Sequence, residues 1–371
     1  MSPLLAILVT ASLALHVASI ILALWRVRVG DQPALKDLPP VSIMRPVCGF
    51  EYHIEEALGS TFVLDHPRYE IIFCIASPTD EALPLVERLM RSHSVVPARL
   101  LIGDDRISGN PKLNNLVKGW KAARHDWIVM VDSNVLLPAD YLSRLFSRWR
   151  FDTGLVSSPA IGIEPKGFSS ELECAFLNTY QARWQLAADQ LGLGFAQGKN
   201  MLFRRDILER AGGIEALASE VAEDVASTKI VHLAGLRVGL VAKPFPQPLG
   251  FRSFADVWWR QVRWARLRRA GFAALFVPEL LAGGFFPIVA SVIFAAANSW
   301  SFGWVAGLAL VWYGLEAMLA GAAQWPRSAV AVLAAIIRDL LLPALWVFGW
   351  TGNRFVWRGT PMTIDKPSAA S

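Results

Sequence analysis

Trp127-Ile128-Val129-Met130-Val131-Asp132-Ser133-Asn134 is a run of five apolar residues that stops abruptly at three polar ones. Apolar side chains at every position, with no alternation, read as a strand covered on both faces, the situation of a mainly parallel sheet. The stretches before it repeat the theme. Strands over 41–46, 70–76 and 98–102 alternate with helices near 53–62, 81–91 and 111–124. Strands separated by helices of ten or more residues predict an α/β fold with a mainly parallel sheet. Such sheets bind ligands beyond the carboxyl ends of their strands. Asp80 follows the second strand, Gly109-Asn110-Pro111-Lys112 the third and Asp132-Ser133-Asn134 the fourth, so three polar groups are expected at one edge.

Each group has a chemistry. Asn110-Pro111 has the form of a helix start, with Asn as cap and Pro in the first turn. Free N–H groups there, with Lys112 beside them, suit a diphosphate, although a well-capped helix explains the same residues. Asp132 would point its carboxylate out of the sheet end, and Asn134 adds an oxygen, the ligand type that Mg²⁺ or Mn²⁺ on a nucleotide diphosphate needs. An Asp after a strand is also a common turn former. Glu223-Asp224 falls in a helical pattern over 214–234, where a solvated acidic face is the plain reading. Arg260-Gln261-Val262-Arg263-Trp264, read as a helix, places Arg260, Arg263 and Trp264 on one face. Two guanidinium groups and an indole there fit a diphosphate leaving group and a sugar or lipid wall. Five arginines between Arg260 and Arg269 fit a basic helix on anionic lipid equally well.

Composition places this domain at a membrane. Of 371 residues, 54% are hydrophobic and 18% charged, and the apolar excess lies at the two ends. From Pro3 to Trp25 no Asp, Glu, Lys or Arg occurs, enough length to span a bilayer. Arg26, Arg28 and Lys36 follow it, which puts the N-terminus outside and the chain from about residue 38 in the cytoplasm. A cleaved signal peptide would carry its charges first, so the segment reads as an uncleaved anchor. Apolar stretches recur over 274–297, 301–323 and 328–350. Glu316 lies in the second and Arg338-Asp339 at the centre of the third, which is therefore either an interfacial helix with a short span or a helix facing a protein-lined cavity. Two or three C-terminal spans result. Arg354, Arg358 and Lys366 favour a cytoplasmic tail. The expected partition is an anchor over 1–27, a cytoplasmic catalytic domain over 38–270, transmembrane or interfacial helices over 271–353 and a tail over 354–371.

The net charge of +5 gathers beside the membrane segments and reads as lipid contact, not nucleic-acid binding. Cys48, Cys74 and Cys174 show no CxxC spacing and are expected as reduced core residues. The six histidines make no HExxH or paired pattern, which argues against a zinc enzyme.

Asp80, Asp132, Asp224 and Arg260-Gln-Val-Arg-Trp264 together resemble the D, D, D, (Q/R)xxRW pattern of family-2-like glycosyltransferases. Asn110-Pro-Lys-Leu-Asn-Asn115, Val131-Asp-Ser133 and Ala222-Glu-Asp224 are similar to the NPKxNNL, DS and AED segments of family 21, the ceramide glucosyltransferases. The likeness runs from about 41 to 267 and includes Gly212-Gly213. It implies a GT-A-type fold and an inverting transfer of one sugar, glucose first, from a UDP-sugar to the hydroxyl of a membrane lipid, ceramide first. It further implies that Asp80 contacts the uridine and that Asn110, Lys112 and Asn114 bind the nucleotide-sugar. Asp132 would hold a divalent metal and the diphosphate, and Asp224 would act as base. Arg260, Arg263 and Trp264 would form the leaving-group face, with Gln181, Glu223, Trp258 and Trp259 in the acceptor region. Two departures, Gln181 in place of a His and Asp104-Asp105 in a loop that is basic in the family, leave the acceptor open among ceramide, a hopanoid and a diacylglycerol. Sugar identity and oligomeric state are equally open. A processive polysaccharide synthase would need more spans, and an inactive scaffold would have lost a motif acid. Ala- and Arg-rich usage points to a bacterial inner membrane.

Overall fold

The apolar runs become the strands of one seven-stranded sheet: β1 (Val41–Val47), β2 (Tyr69–Ile75), β3 (Ala98–Ile102), β4 (Trp127–Val131), β5 (Thr153–Ser157), β6 (Asn200–Arg204) and β7 (Arg237–Leu240). Their order is β3-β2-β1-β4-β6-β5-β7. The first four are mutually parallel, β6 runs antiparallel to both β4 and β5, and β5 pairs in parallel with β7. The sheet is thus mixed but mainly parallel. The computed structural model describes residues 2–30, 37–357 and 359–364, so Lys36, Arg358 and Lys366 lie outside the described residues.

Helices cover both faces of the sheet, which is why its central strands carry no polar alternation. On one face Ile43, Phe73, Val129 and Leu202 pack with Leu58, Leu85, Tyr141 and Leu145. On the other Met44, Cys74, Met130 and Phe203 pack with Leu116, Trp120, Leu217 and Val231. The Pro111–Ala122 helix lies close to the second face at Gly119, where a Cβ would sit 2.7 Å from Cys74 Sγ. Cys74 and Cys174 are buried, but Cys48 is exposed, a correction to the expectation for all three. Cys48 stands one residue past β1, where the sheet no longer shelters it.

A second compact unit gathers Ile161–Ala187 and Leu249–Asn353 with the N-terminal helix. Segments 161–187 and 249–270, placed in the catalytic domain by the sequence partition, group here with the apolar helices. Among the described residues, four helices are long and apolar enough to cross a membrane: Pro3–Val29, Ala273–Ala297, Gly303–Ala322 and Ala331–Trp350. The second is interrupted, since its continuous α-helix runs only from Phe285 to Ala297. Between the alternatives for the last stretch, the structure shows one unbroken helix whose Arg338 and Asp339 are buried and paired inside the unit.

The Phe254–Gly271 helix carries the basic tract, opened by a capping box between Ser253 and Asp256. Its last three arginines are bound within the protein. Arg266 donates to Thr351 O at 2.8 Å and Arg269 to Trp350 O at 3.0 Å, serving the free carbonyls that end the Ala331 helix. Arg268 pairs with Glu279 at 2.8 Å.

Candidate active site

Strand geometry assembles the acidic and basic side chains of the sheet unit. Asp132 leaves the carboxyl end of β4. Because β6 is antiparallel to β4, with Val131 opposite Asn200, the residues just before β6 arrive at the same edge. Asp132 N donates to Lys199 O at 3.1 Å. Both carboxylate oxygens of Asp132 face ammonium groups, Lys112 Nζ at 2.7 Å and Lys199 Nζ at 3.1 Å. Burial pushes this carboxyl up, but the two lysines outweigh it and hold its pKa down at about 2.

Lys112 arrives on the first turn of the Pro111 helix. Asn110 caps that helix as expected, its Oδ1 accepting from Lys112 N at 3.0 Å and Leu113 N at 3.2 Å. The Asn110 amide also donates to Glu223 Oε2 at 2.7 Å, so one side chain serves both cap and cluster. Lys112 Nζ bridges Asp132 to Glu223 Oε1, at 2.7 Å each, and also meets Gly198 O. Burial pulls this lysine down, yet the two carboxylates prevail and raise its pKa above the ordinary lysine range.

The acidic pair is not on a solvated helix face. The pattern over 214–234 divides into a 3-10 turn at Ile214–Ser219 and a helix at Glu223–Leu233, so Glu223 and Asp224 occupy the first helical turn. Carboxylates there complement the helix dipole. Glu223 is buried and Asp224 half-buried. Asp224 accepts from Gly198 N at 2.9 Å and Val225 N at 2.8 Å. Burial and then the Glu223 charge push its pKa up to about 6, against the pull of those bonds and of Lys112.

Two members of this cluster, Gly198 and Lys199, escaped the sequence reading. A Cβ at Gly198 would lie 2.9 Å from Glu223 Oε1 and 3.3 Å from Asp224 Oδ2, so a larger residue there would displace the Glu223 carboxylate. Their signal was a Gly-Lys pair ahead of a strand, unreadable without knowing that this strand pairs beside β4.

Asp80 clasps the end of β1 by accepting from Gly49 N at 3.0 Å, and it accepts from Ala82 N at 2.9 Å. The Asn114 amide ties down the 107–108 loop, accepting from Ile107 N and Ser108 N and donating to Ser108 O. Asn134 joins Lys199 to Glu51. Arg260, Arg263, Trp264, Gln181, Trp258 and Trp259 belong to the helical unit. There Arg260 pairs with buried Glu173, Gln181 bonds Gln261 at 2.9 Å, Trp258 packs edge-on to Phe348 and Trp259 is exposed. No three His, Cys, Asp or Glu side chains converge as a metal cage among the described residues.

The sequence profile of glycosyl transferase family 21 matches residues 8–370. The chain belongs to this family. Ceramide glucosyltransferase 1 of Caenorhabditis elegans is 26% identical over 72% of this chain, which spans 57% of the length of that relative. The ceramide glucosyltransferase of Komagataella phaffii is 27% identical and aligned over 91% of this chain and 85% of its own. Among solved structures, the mannosyltransferase PcManGT of Pyrobaculum calidifontis, in complex with GDP-Man and Mn²⁺, superposes with a TM-score of 0.50 at 18% identity, covering 93% of this chain and 96% of that one. The family 21 chain therefore has the expected GT-A-like fold, with four apolar helices added.

Proposed function

We propose that this family 21 protein transfers one sugar, glucose first among the candidates, from a UDP-sugar to the hydroxyl of a membrane lipid, ceramide first, with inversion at the anomeric carbon. Asp224 carries the reading. With its pKa pushed up to about 6, it is ionised at neutral pH yet basic enough to take a hydroxyl proton. The lipid oxygen attacks the sugar carbon as its proton passes to Asp224, and UDP departs from the opposite side. Carried over by position from the family motifs, Asp80 contacts the uridine, while Asn110, Lys112 and Asn114 bind the nucleotide-sugar. Arg260, Arg263 and Trp264 form the leaving-group face, and Gln181, Glu223, Trp258 and Trp259 border the acceptor. The relatives named ceramide glucosyltransferase support this choice of substrates. So do the apolar helices, which we read as an anchor and C-terminal spans holding the catalytic face toward a bacterial cytoplasm.

Three carboxylates against two ammonium groups give the sheet-edge cluster a negative excess, unfavourable for a diphosphate arriving alone. A divalent cation bound with the donor would offset this excess. Asp132 stays ionised down to a pH of about 2 and already turns both oxygens toward cations, and Mg²⁺ or Mn²⁺ commonly takes one or two carboxylates plus substrate phosphates. Asp132 would hold the ion, which would supply positive charge against the leaving diphosphate.

Purified protein incubated with a panel of UDP-sugars and lipid extracts should yield a glycolipid whose mass is one sugar above its acceptor. A polymeric product would favour a processive synthase, and no product on any lipid would overturn the reading. Excess chelator should abolish the reaction and Mg²⁺ or Mn²⁺ restore it. Full activity in chelator would assign the leaving group to Lys and Arg alone.

The rate should also fall as pH drops through about 6, because Asp224 then takes up its proton. Glu223→Gln removes the neighbouring like charge and should move this acid limb to lower pH. An unmoved limb in the pH–rate profile would belong to another group.

A further inference from the structure

One turn of the helical unit is wound more loosely than its neighbours. Phe176–Ala182 is a π-helix set between the α-helices Phe168–Ala175 and Arg183–Gln190. Such turns hold an extra residue, are rare, and are frequent at functional sites. Gln181 lies in this one. Gln181 and Gln261, joined by the Gln181 amide donating to Gln261 Oε1 at 2.9 Å, line a cleft walled by Phe276, Leu342 and Trp346, with the Arg268–Glu279 pair also on its lining. Gln261 Nε2 is buried with no hydrogen-bond partner among the described residues, an unused donor on a residue that lines this cleft.

The turn is gripped on both sides by charges from the apolar helices. Before Gln181, Arg338 Nη1 donates to Ala175 O at 3.2 Å and to Thr179 Oγ1 at 2.9 Å, and the guanidinium lies 5.5 Å from the Tyr180 ring centre. After Gln181, Arg183 donates to Glu316 Oε1 at 3.3 Å. Glu316 links the two grips, because its oxygens each accept from Arg338 at 3.0 Å. Asp339 completes the cluster by accepting from Arg338 Nε at 2.9 Å and from Gly284 N at 2.8 Å. His16 bonds Arg183 at 2.6 Å and Trp312 O at 3.1 Å. Two guanidinium groups thus balance two carboxylates, all at most 2% exposed. Buried ion clusters of this kind are no better than apolar packing at holding helices together, so cohesion alone does not account for one inside apolar helices.

We propose that Arg338 and Glu316 are positioning residues, which hold the π-turn so that Gln181 and the unused amide of Gln261 face the cleft and bind an oxygen in the polar head of the lipid acceptor. This rests on the lipid-acceptor reading above. The bundle of apolar helices then shapes the acceptor subsite as well as anchoring the chain.

Thr179→Val removes one bond of the Arg338 grip and leaves the ion cluster whole. It should raise the acceptor KM about three- to tenfold, the worth of roughly one hydrogen bond, with the donor KM changed less than about twofold. Thr179→Ser, which keeps the hydroxyl, should restore the wild-type value. Arg338→Lys keeps the charge but not the forked reach, and should show the same split with a larger rise. An acceptor KM unmoved in Thr179→Val, or equal changes in donor and acceptor KM with a lowered melting temperature, would overturn the proposal even if Arg338→Lys fails to fold. The wild-type control separates the two readings: wild-type protein that binds UDP-sugar but glycosylates no lipid sinks the lipid-acceptor reading and this proposal with it.

Discussion

Asp224→Asn is expected to cut turnover about 10²- to 10⁴-fold, the usual worth of a general base, while binding of the nucleotide-sugar survives. The amide oxygen can still accept from Gly198 N or Val225 N, and loss of the second bond costs about 1 kcal/mol. Relief of the repulsion from Glu223 works in the opposite direction, so the melting temperature should stay near that of the wild type. Single-turnover rates and donor calorimetry on the same preparation separate the two effects. Near-normal turnover would remove Asp224 from the chemistry.

Lys112→Met should be harsher, and in a different way. The ammonium is only 10% exposed and is shared by Asp132 and Glu223, so its removal strands carboxylates beside one another. Breaking a buried ion pair from one side costs about 3–5 kcal/mol, which a thermal melt in detergent would register clearly. Turnover should fall too. Lys112 is one of the influences that hold the Asp224 pKa down, and without it the base keeps its proton to higher pH. Raising the pH should therefore recover part of the rate in any folded fraction. A methionine variant with wild-type melting and wild-type rate at pH 7 would show that the lysine is dispensable to the cluster.

How much of this was readable beforehand depends on how local each signal was. Strand 127–131 coincides with β4 because an unbroken apolar run between helices has one reading in a doubly covered sheet, and 98–102 coincides with β3, a partly exposed edge strand, despite Arg99 within it. Asn110 declared itself as a cap by its place before Pro111. The pattern over 214–234 misled because a 3-10 turn and the following α-helix both carry helical periodicity, and nothing local marked the break before Glu223. Gly198 and Lys199 depend on the pairing of β6 with β4, a contact between residues about seventy apart in the chain. Arg338 and Asp339 looked anomalous in an apolar stretch. Their explanation lies in Arg183 and Glu316, which hydrophobicity alone could not connect to them.

The central claim is that one carboxylate, Asp224, serves a single in-line displacement on the sugar. Its most direct test is the anomeric configuration of the first glycolipid formed from an α-linked UDP-sugar, read from the proton NMR coupling of the anomeric hydrogen. A β-linked product is expected. An α-linked product would require a second displacement or front-side attack, and would contradict the role given to Asp224.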